Sequence, residues 1–453
     1  MRLVIFFLLW TLAGFSATPA RSQSPPPPRV TLNATTDRGL YLAGIQNKIY
    51  LDVQVVAANP AGSPAPTAST VRNVALILDR SGSMDGPPIQ ALRQAVSRAL
   101  NSLGPQDIVS IIAFGSEVET VVAAKRRDQL TDLDAALAQI EPAGGSALYD
   151  ALNQGAAQLR RFAGTGTSDH LILVTDGPAT KGPREAEDFS RLAEVFAREG
   201  ITLSTIGLGP DFDEDMLAAL ARTGSGHFRF ADKPEKLLDT LPAELAPLRT
   251  LVARDATLTL EFGPNADKVE AYGWLPSVAK ATTLTYHFPY LFAGQPLRIL
   301  SSVTTRPPHW YNYKVATLRL TWKDADDGQL HETVKPLSVD LDSSEEEVRH
   351  SIKTEVVRTE VATAISEGLQ DAILQIDKHD FRRALRALRR ARNEAYNFNY
   401  DLDDPEITGK IHQLEVYIKE VETRGMNALD RKILRSGLFN QFDSPTPDDP
   451  SDR

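Results

Sequence analysis

Between residues 71 and 248, short unbroken apolar runs alternate with stretches of helical period, and no other feature restricts the fold of this chain so strongly. The runs at 74–78, 108–114, 118–123, 171–174, 201–206 and 227–230 read as strands. Helices are predicted near 88–103, 131–140, 147–162, 184–198, 213–222 and 234–245. A strand that is apolar along its whole length must be covered on both faces, and the intervening helices can supply that cover. The pattern therefore predicts a doubly wound, mostly parallel sheet. Sheets of this kind bind ligands at the carboxyl ends of their strands.

Three segments carry oxygen donors to such ends. Asp79-Arg80-Ser81-Gly82-Ser83 closes the run 74–78 with a carboxylate and two hydroxyls. Gly144-Gly145-Ser146 precedes a helix striped by Leu148, Leu152, Leu159 and Phe162, and adds a third hydroxyl. Leu171-Ile172-Leu173-Val174-Thr175-Asp176-Gly177 ends another apolar run in a second acid. Carboxylate and hydroxyl oxygens suit Mg²⁺, Mn²⁺ or Ca²⁺, whereas imidazole and thiolate favour zinc or copper. Asp, Ser and Gly are also turn residues, so Asp79, Ser83 or Ser146 alternatively reads as the cap of the following helix.

Taken together, the three segments resemble the von Willebrand factor A domain and its metal-ion-dependent adhesion site, over residues 70–248. The resemblance implies that Asp79, Ser81, Ser83, Ser146 and Asp176 hold one divalent cation, with Mg²⁺ the leading choice and Mn²⁺ and Ca²⁺ the alternatives. It also implies a partner protein whose Asp or Glu completes the metal shell. Ser146 stands where threonine is commoner in that family; it keeps the oxygen and lacks the methyl.

Around this unit the sequence changes character. Met1-Arg2-Leu3 opens an apolar stretch that ends near the small-residue triplet Thr18-Pro19-Ala20, the pattern of a signal peptide over residues 1–20. A proline-rich linker follows at 21–28. No other apolar run is long enough to span a bilayer, so no transmembrane segment is expected after cleavage, and a secreted or periplasmic location is. The chain has no cysteine, which removes disulfides as a source of stability. Its formal charge of −10 argues against nucleic-acid binding.

Ile49, Leu51, Val53 and Val55 alternate with polar residues, as do Leu258, Leu260 and Phe262, and Ala316, Leu318, Leu320 and Trp322. One or two strands before the α/β unit would be marginal alone, so residues 29–69, which end in a Pro/Gly linker, are expected to pair with 249–342. The fold class predicted is a von Willebrand factor A fold inserted in a β-sandwich, followed by a helical C-terminal region at 343–437. Ser344-Glu345-Glu346-Glu347 opens that region as a capping box, and Asp404-Pro405-Glu406 starts a later helix. Phe381, Ala384, Leu385, Leu388, Ala391, Ala395 and Phe398 keep helical spacing; the interspersed arginines read as a solvated face. The tail at 438–453 is acidic, proline-rich and expected to be disordered. Domain order and the strand entry Val252-Ala253-Arg254-Asp255 resemble bacterial relatives of calcium-activated chloride channel regulators and inter-alpha-trypsin inhibitor heavy chains.

Motifs for catalysis are missing. The sequence contains no HExxH pair, no GxSxG elbow and no GxxxxGK[ST] loop, and a cysteine nucleophile is impossible. Metal-assisted hydrolysis at Asp79 and Asp176 would need a general base, for which the sequence offers no candidate. The reading favoured is a non-catalytic, cation-dependent protein-binding module. The alternatives are an architectural protein with a structural metal, or a metal-dependent hydrolase.

Overall fold

The computed structural model describes residues 29–58 and 71–423, apart from positions 165, 247, 249–250, 273–275, 295, 309–311, 327 and 401. The expected signal peptide, both proline-containing linkers (21–28 and 59–70), residues 424–437 of the helical region and the acidic tail lie outside the described residues.

Three strands come first: β1 (Val30–Thr36), β2 (Leu40–Leu42) and β3 (Asn47–Ala57). The α/β unit follows with β4 (Val71–Asp79), α1 (Pro87–Leu100), β5 (Ile108–Phe114), β6 (Val118–Arg126), α2 (Leu133–Ala138) and α3 (Leu148–Arg160). It continues through β7 (Thr167–Thr175), α4 (Ala186–Arg198), β8 (Ile201–Leu208), α5 (Glu214–Thr223), β9 (Ser225–Ala231) and α6 (Leu237–Leu245). Strands then return as β10 (Leu251–Phe262), β11 (Ala266–Tyr272), β12 (Val278–Lys280), β13 (Thr283–Phe292), β14 (Leu297–Thr305), β15 (Asn312–Asp324) and β16 (Leu330–Asp342). Helices α7 (Glu345–His350), α8 (Thr354–Asp377), α9 (Phe381–Asn399) and α10 (Pro405–Thr423) close the described chain.

The α/β sheet has strand order β6-β5-β4-β7-β8-β9, and every neighbouring pair is parallel except the β5–β6 hairpin. Buried clusters lie on both faces, one around Leu76, Leu92 and Leu241 and the other around Ile77, Leu152 and Phe196. This two-sided cover is why β4 and β7 read as unbroken apolar runs. Helix α1 starts at Pro87, whose fixed φ and missing N–H suit a first helical position. Helix α2, Leu133–Ala138, is shorter at both ends than its periodicity predicts.

The flanking strands form two packed sheets, β1-β3-β14-β11 and β12-β13-β10-β15-β16-β2, with Leu51, Val53, Leu258, Leu260, Leu318 and Leu320 in their shared core. Strand β3, from before the α/β unit, pairs antiparallel with β14, from after it. Strand β2 crosses to the other sheet and runs parallel to the end of β16. The α/β unit is thus an insertion in a β-sandwich. At the seam, Arg254 donates to the Thr167 carbonyl, and the Asp169 amide donates to Tyr290 Oη at 3.0 Å. The Val252-Ala253-Arg254-Asp255 entry makes this contact through a local break in the β10–β15 register, where Asp255 sits at φ 50°.

Beyond the sandwich, Ser344 accepts the Glu347 amide at the start of α7, as its capping box predicts, and Asp380 caps α9 in the same way. Asp404 Oδ1 accepts the amides of Glu406 and Ile407 at the start of α10. Ile373, Leu388 and Leu414 centre the packing of α8, α9 and α10. Phe381 departs from the expected stripe: it is exposed, and Ala387 is buried in its place. Helix α8 is tied to the sandwich by Arg298, which forks onto Asp52 at 2.9 and 2.7 Å and reaches the Glu355 carbonyl at 3.5 Å. Among the described residues no helix is long and apolar enough to cross a membrane.

Candidate metal site

Strands β4 and β7 are adjacent and parallel, so their carboxyl ends bring Asp79 and Thr175-Asp176 together. Asp79 is fully buried. One of its oxygens accepts the Ser81 amide at 2.7 Å, and the other accepts the Thr175 hydroxyl. Burial pushes its carboxyl up to about 6, against the lowering effect of the Thr175 and Ser81 hydrogen bonds and with a further upward push from the Asp176 charge. A buried carboxylate that resists ionisation in an apolar surround is one that a cation would stabilise.

Asp176 receives the Ser83 hydroxyl at 2.8 Å and the Ser81 hydroxyl at 3.4 Å. The two hydroxyl oxygens are 3.1 Å apart. Burial raises the Asp176 carboxyl above its ordinary range, the serine hydrogen bonds oppose the shift, and Asp211 adds to it. Four of the five sequence-predicted donors therefore form one connected cluster.

Ser146, the fifth, comes from the loop before α3. The Gly82 amide donates to the Gly144 carbonyl at 3.0 Å and the Ala143 amide to the Arg80 carbonyl at 2.7 Å, so the 143–146 loop is stitched to the 80–83 loop. Ser146 is 2 % exposed, and its hydroxyl has no hydrogen-bond partner. A buried hydroxyl without a partner is costly in a finished structure. The helix-cap alternative accounts for none of these donors. The cap positions of α1 and α3 are Gly86 and Ala147, and neither helix has a side-chain cap.

Sequence reasoning missed the supports. Thr175 fixes Asp79 and sits one residue before a predicted ligand, the single signal that marked it. Ser116 accepts the Gly145 amide at 2.8 Å and Thr180 accepts the Ser146 amide at 2.6 Å; both come from turns distant in sequence. Gly115 is required by close approach, because a Cβ there would lie 2.2 Å from the Ala143 carbonyl oxygen. Among the described residues no cluster of three His, Cys, Asp or Glu side chains could hold a metal. Any cation here must take hydroxyl as well as carboxylate oxygen.

The model of the von Willebrand factor type A domain matches residues 73–243, a span that contains all five donors. The chain carries a von Willebrand factor type A domain. A protein of Synechocystis, sll0103, is 27% identical over 197 residues, covering 43% of this chain and 46% of that one. Human inter-alpha-trypsin inhibitor heavy chain H2 is 26% identical over 163 residues, covering 34% and 17% respectively. The matched stretch is less than half of either relative's length. The solved von Willebrand factor type A structure from Catenulispora acidiphila superposes with a TM-score of 0.67 at 18% identity, covering 91% of this chain and 96% of that one. The ArnB paralog VWA2 from Sulfolobus acidocaldarius gives 0.60 at 20% identity, covering 92% and 98%. At these identities the likeness is one of fold, and it extends through the sandwich and helices as well as the A domain.

Type A domains bind a divalent cation at the metal-ion-dependent adhesion site and through it mediate protein interaction. The residues here fit such an ion. Two acids hold charge, three hydroxyls supply neutral oxygen, and the unsatisfied Ser146 Oγ is a lone pair in search of an electrophile.

Proposed function

We propose that this chain is a cation-dependent protein-binding module, exported from the cytoplasm, whose A domain engages an Asp or Glu of a partner protein through a Mg²⁺ ion. The observation that carries the reading is the buried Ser146 hydroxyl, left without a partner beside a joined cluster of Asp79, Ser81, Ser83 and Asp176. Asp79, Ser81, Ser83, Ser146 and Asp176 would hold the ion. When bound, the cation supplies an electrophilic position that an external carboxylate can occupy. Thr175 and the Ser81 amide keep Asp79 oriented, while Asp176 is steadied by two serine hydroxyls. Both acids are thereby held in place within the cluster, which leaves neither of them free to serve as the general base that turnover would need. Export rests on the amino-terminal sequence pattern alone.

Isothermal titration of metal-free protein with Mg²⁺, Mn²⁺ and Ca²⁺ should show one site, lost in Asp79→Ala and in Asp176→Ala. Affinity capture on wild-type and Asp79→Ala protein in parallel should recover a partner that is released by chelator from the first and absent from the second. Unchanged metal binding in both variants would refute the ligand assignment. A partner retained equally without metal would refute the bridge.

A further inference from the structure

The rim of the metal site is electrically lopsided. Lys181 and Arg184 lie on the β7–α4 loop, five and eight residues after Asp176, and both are exposed. The Lys181 amide donates to the Ser146 carbonyl at 3.0 Å, which anchors that residue to the donor loop. Its ammonium rests on the Ser116 carbonyl at 3.2 Å, and the Arg184 guanidinium rests on the Thr180 carbonyl. Neither cation has a carboxylate partner among the described residues. Arg80, by contrast, is paired with Glu119 at 3.3 Å. Elsewhere on the rim the loops present exposed acids: Asp85 after the first donor loop, Glu141 before the second, and Asp211, whose field reaches Asp176.

A cation parked on a neutral carbonyl gains when a carboxylate replaces that carbonyl, because the attraction of opposite charges is added to the hydrogen bond. An anion directed at the metal therefore meets exposed acids on three loops, with Arg80 beside Glu141 already paired to Glu119, and on the fourth two cations held only by carbonyls. Building on the metal-bridge reading above, we propose that the partner segment is an acidic motif with two carboxylates, one for the cation and a second held by Lys181 and Arg184. The two basic residues then set the direction in which the segment crosses the site and select against partners with a single acid.

The test uses the full chain and a random peptide library displayed on phage, bound in Mg²⁺ at low salt and eluted with EDTA. The wild-type eluate should be enriched in peptides with two acidic residues. A Lys181→Glu/Arg184→Glu variant should still release phage on chelation, but its eluate should shift to one-acid peptides or to an acid accompanied by a base. By fluorescence anisotropy, a wild-type-selected two-acid peptide should bind about two- to fivefold more weakly for each charge removed in Lys181→Ala and Arg184→Ala, with the difference shrinking in salt. A chelator-eluted pool with one acid per peptide, or one unaffected by the Lys181 and Arg184 variants, overturns this proposal and leaves the metal bridge standing. A pool that EDTA does not release, that Asp79→Ala selects equally, or that shows no enrichment overturns the bridge and this proposal with it.

Discussion

Acid should loosen the seam between the A domain and the sandwich through His170. This residue, on β7, is 3 % exposed and packs against Tyr290 and Phe292 with ring centroids 5.5 and 5.7 Å away. Its Nδ1 pairs with the Thr202 hydroxyl at 2.5 Å, while Nε2 is buried with no partner, so the ring has no acceptor for a second proton. Burial pushes its pKa from 6.5 down to about 3, outweighing the opposing attraction of Glu244. Between those values the unfolded chain binds a proton that the folded chain refuses, so stability rises with pH and is lost as pH falls below 6.5. Acidification to pH 4.5, about two units below the unfolded pKa, removes on the order of 2 to 3 kcal/mol through this group. Asn at this position can still pair with Thr202 but cannot titrate. Pulse proteolysis in urea, following the fragment that contains β7, gives the A-domain stability of wild type and His170→Asn at pH 7 and pH 4.5. Wild type should lose about 2 to 3 kcal/mol more than the variant over this interval. Equal losses would refute the argument that His170 is buried neutral.

The glycine and the cap give independent checks. Gly115→Ala should cost about 1–3 kcal/mol by overpacking against the Ala143 carbonyl and should weaken Mg²⁺ binding at least ~10-fold by shifting the loop that carries Ser146, whereas Gly164→Ala, with open space around its Cβ, should do neither in calorimetric titration and thermal melts. Asp404→Ala removes the carboxylate that accepts the first amides of α10 and the fork of Arg358 from α8, so urea unfolding monitored by circular dichroism should show the helical region destabilised by about 1–3 kcal/mol, with metal binding unchanged.

The A domain and the convergence of its candidate donors were legible for a shared physical reason. Strands β4 and β7 are buried on both faces, which makes them unbroken apolar runs, and their ends are marked by the polar residues that a carboxyl-end site needs. The sandwich was only half legible. Strands β10 and β15 alternate because one face of their sheet meets the core and the other is more open, whereas β14 is buried continuously from Ile299 to Val303 and includes Ser301 and Ser302. Those adjacent serines interrupt the apolar run without being exposed; Ser302 is paired with the Tyr272 hydroxyl at 2.9 Å. Strand β16 contains Pro336 and has a neighbour on its outer edge only at its last three residues, so it lacked both the propensity and the pattern of an inner strand. At the site, Ser146 had two readings in sequence. Only its position, buried and outside the cap of α3, separates them, and its supports Ser116 and Thr180 belong to turns that carry no periodic signal.

The insertion also decides how a load on the metal site would travel. Both covalent routes out of the A domain leave from the end opposite the site: β4 begins at Val71 and runs about 26 Å to Asp79, and α6 delivers the chain to β10 beside the start of β7. One route leads toward β3 in the smaller sheet and the other into β10 in the larger. Tension applied by a bound partner is therefore divided between two layers that share one core, and it must slide paired strands lengthwise instead of peeling a single strand from an edge. Such shear loading breaks many hydrogen bonds at once, so the same topology that sets the insertion within the sandwich gives the A domain a mechanical footing.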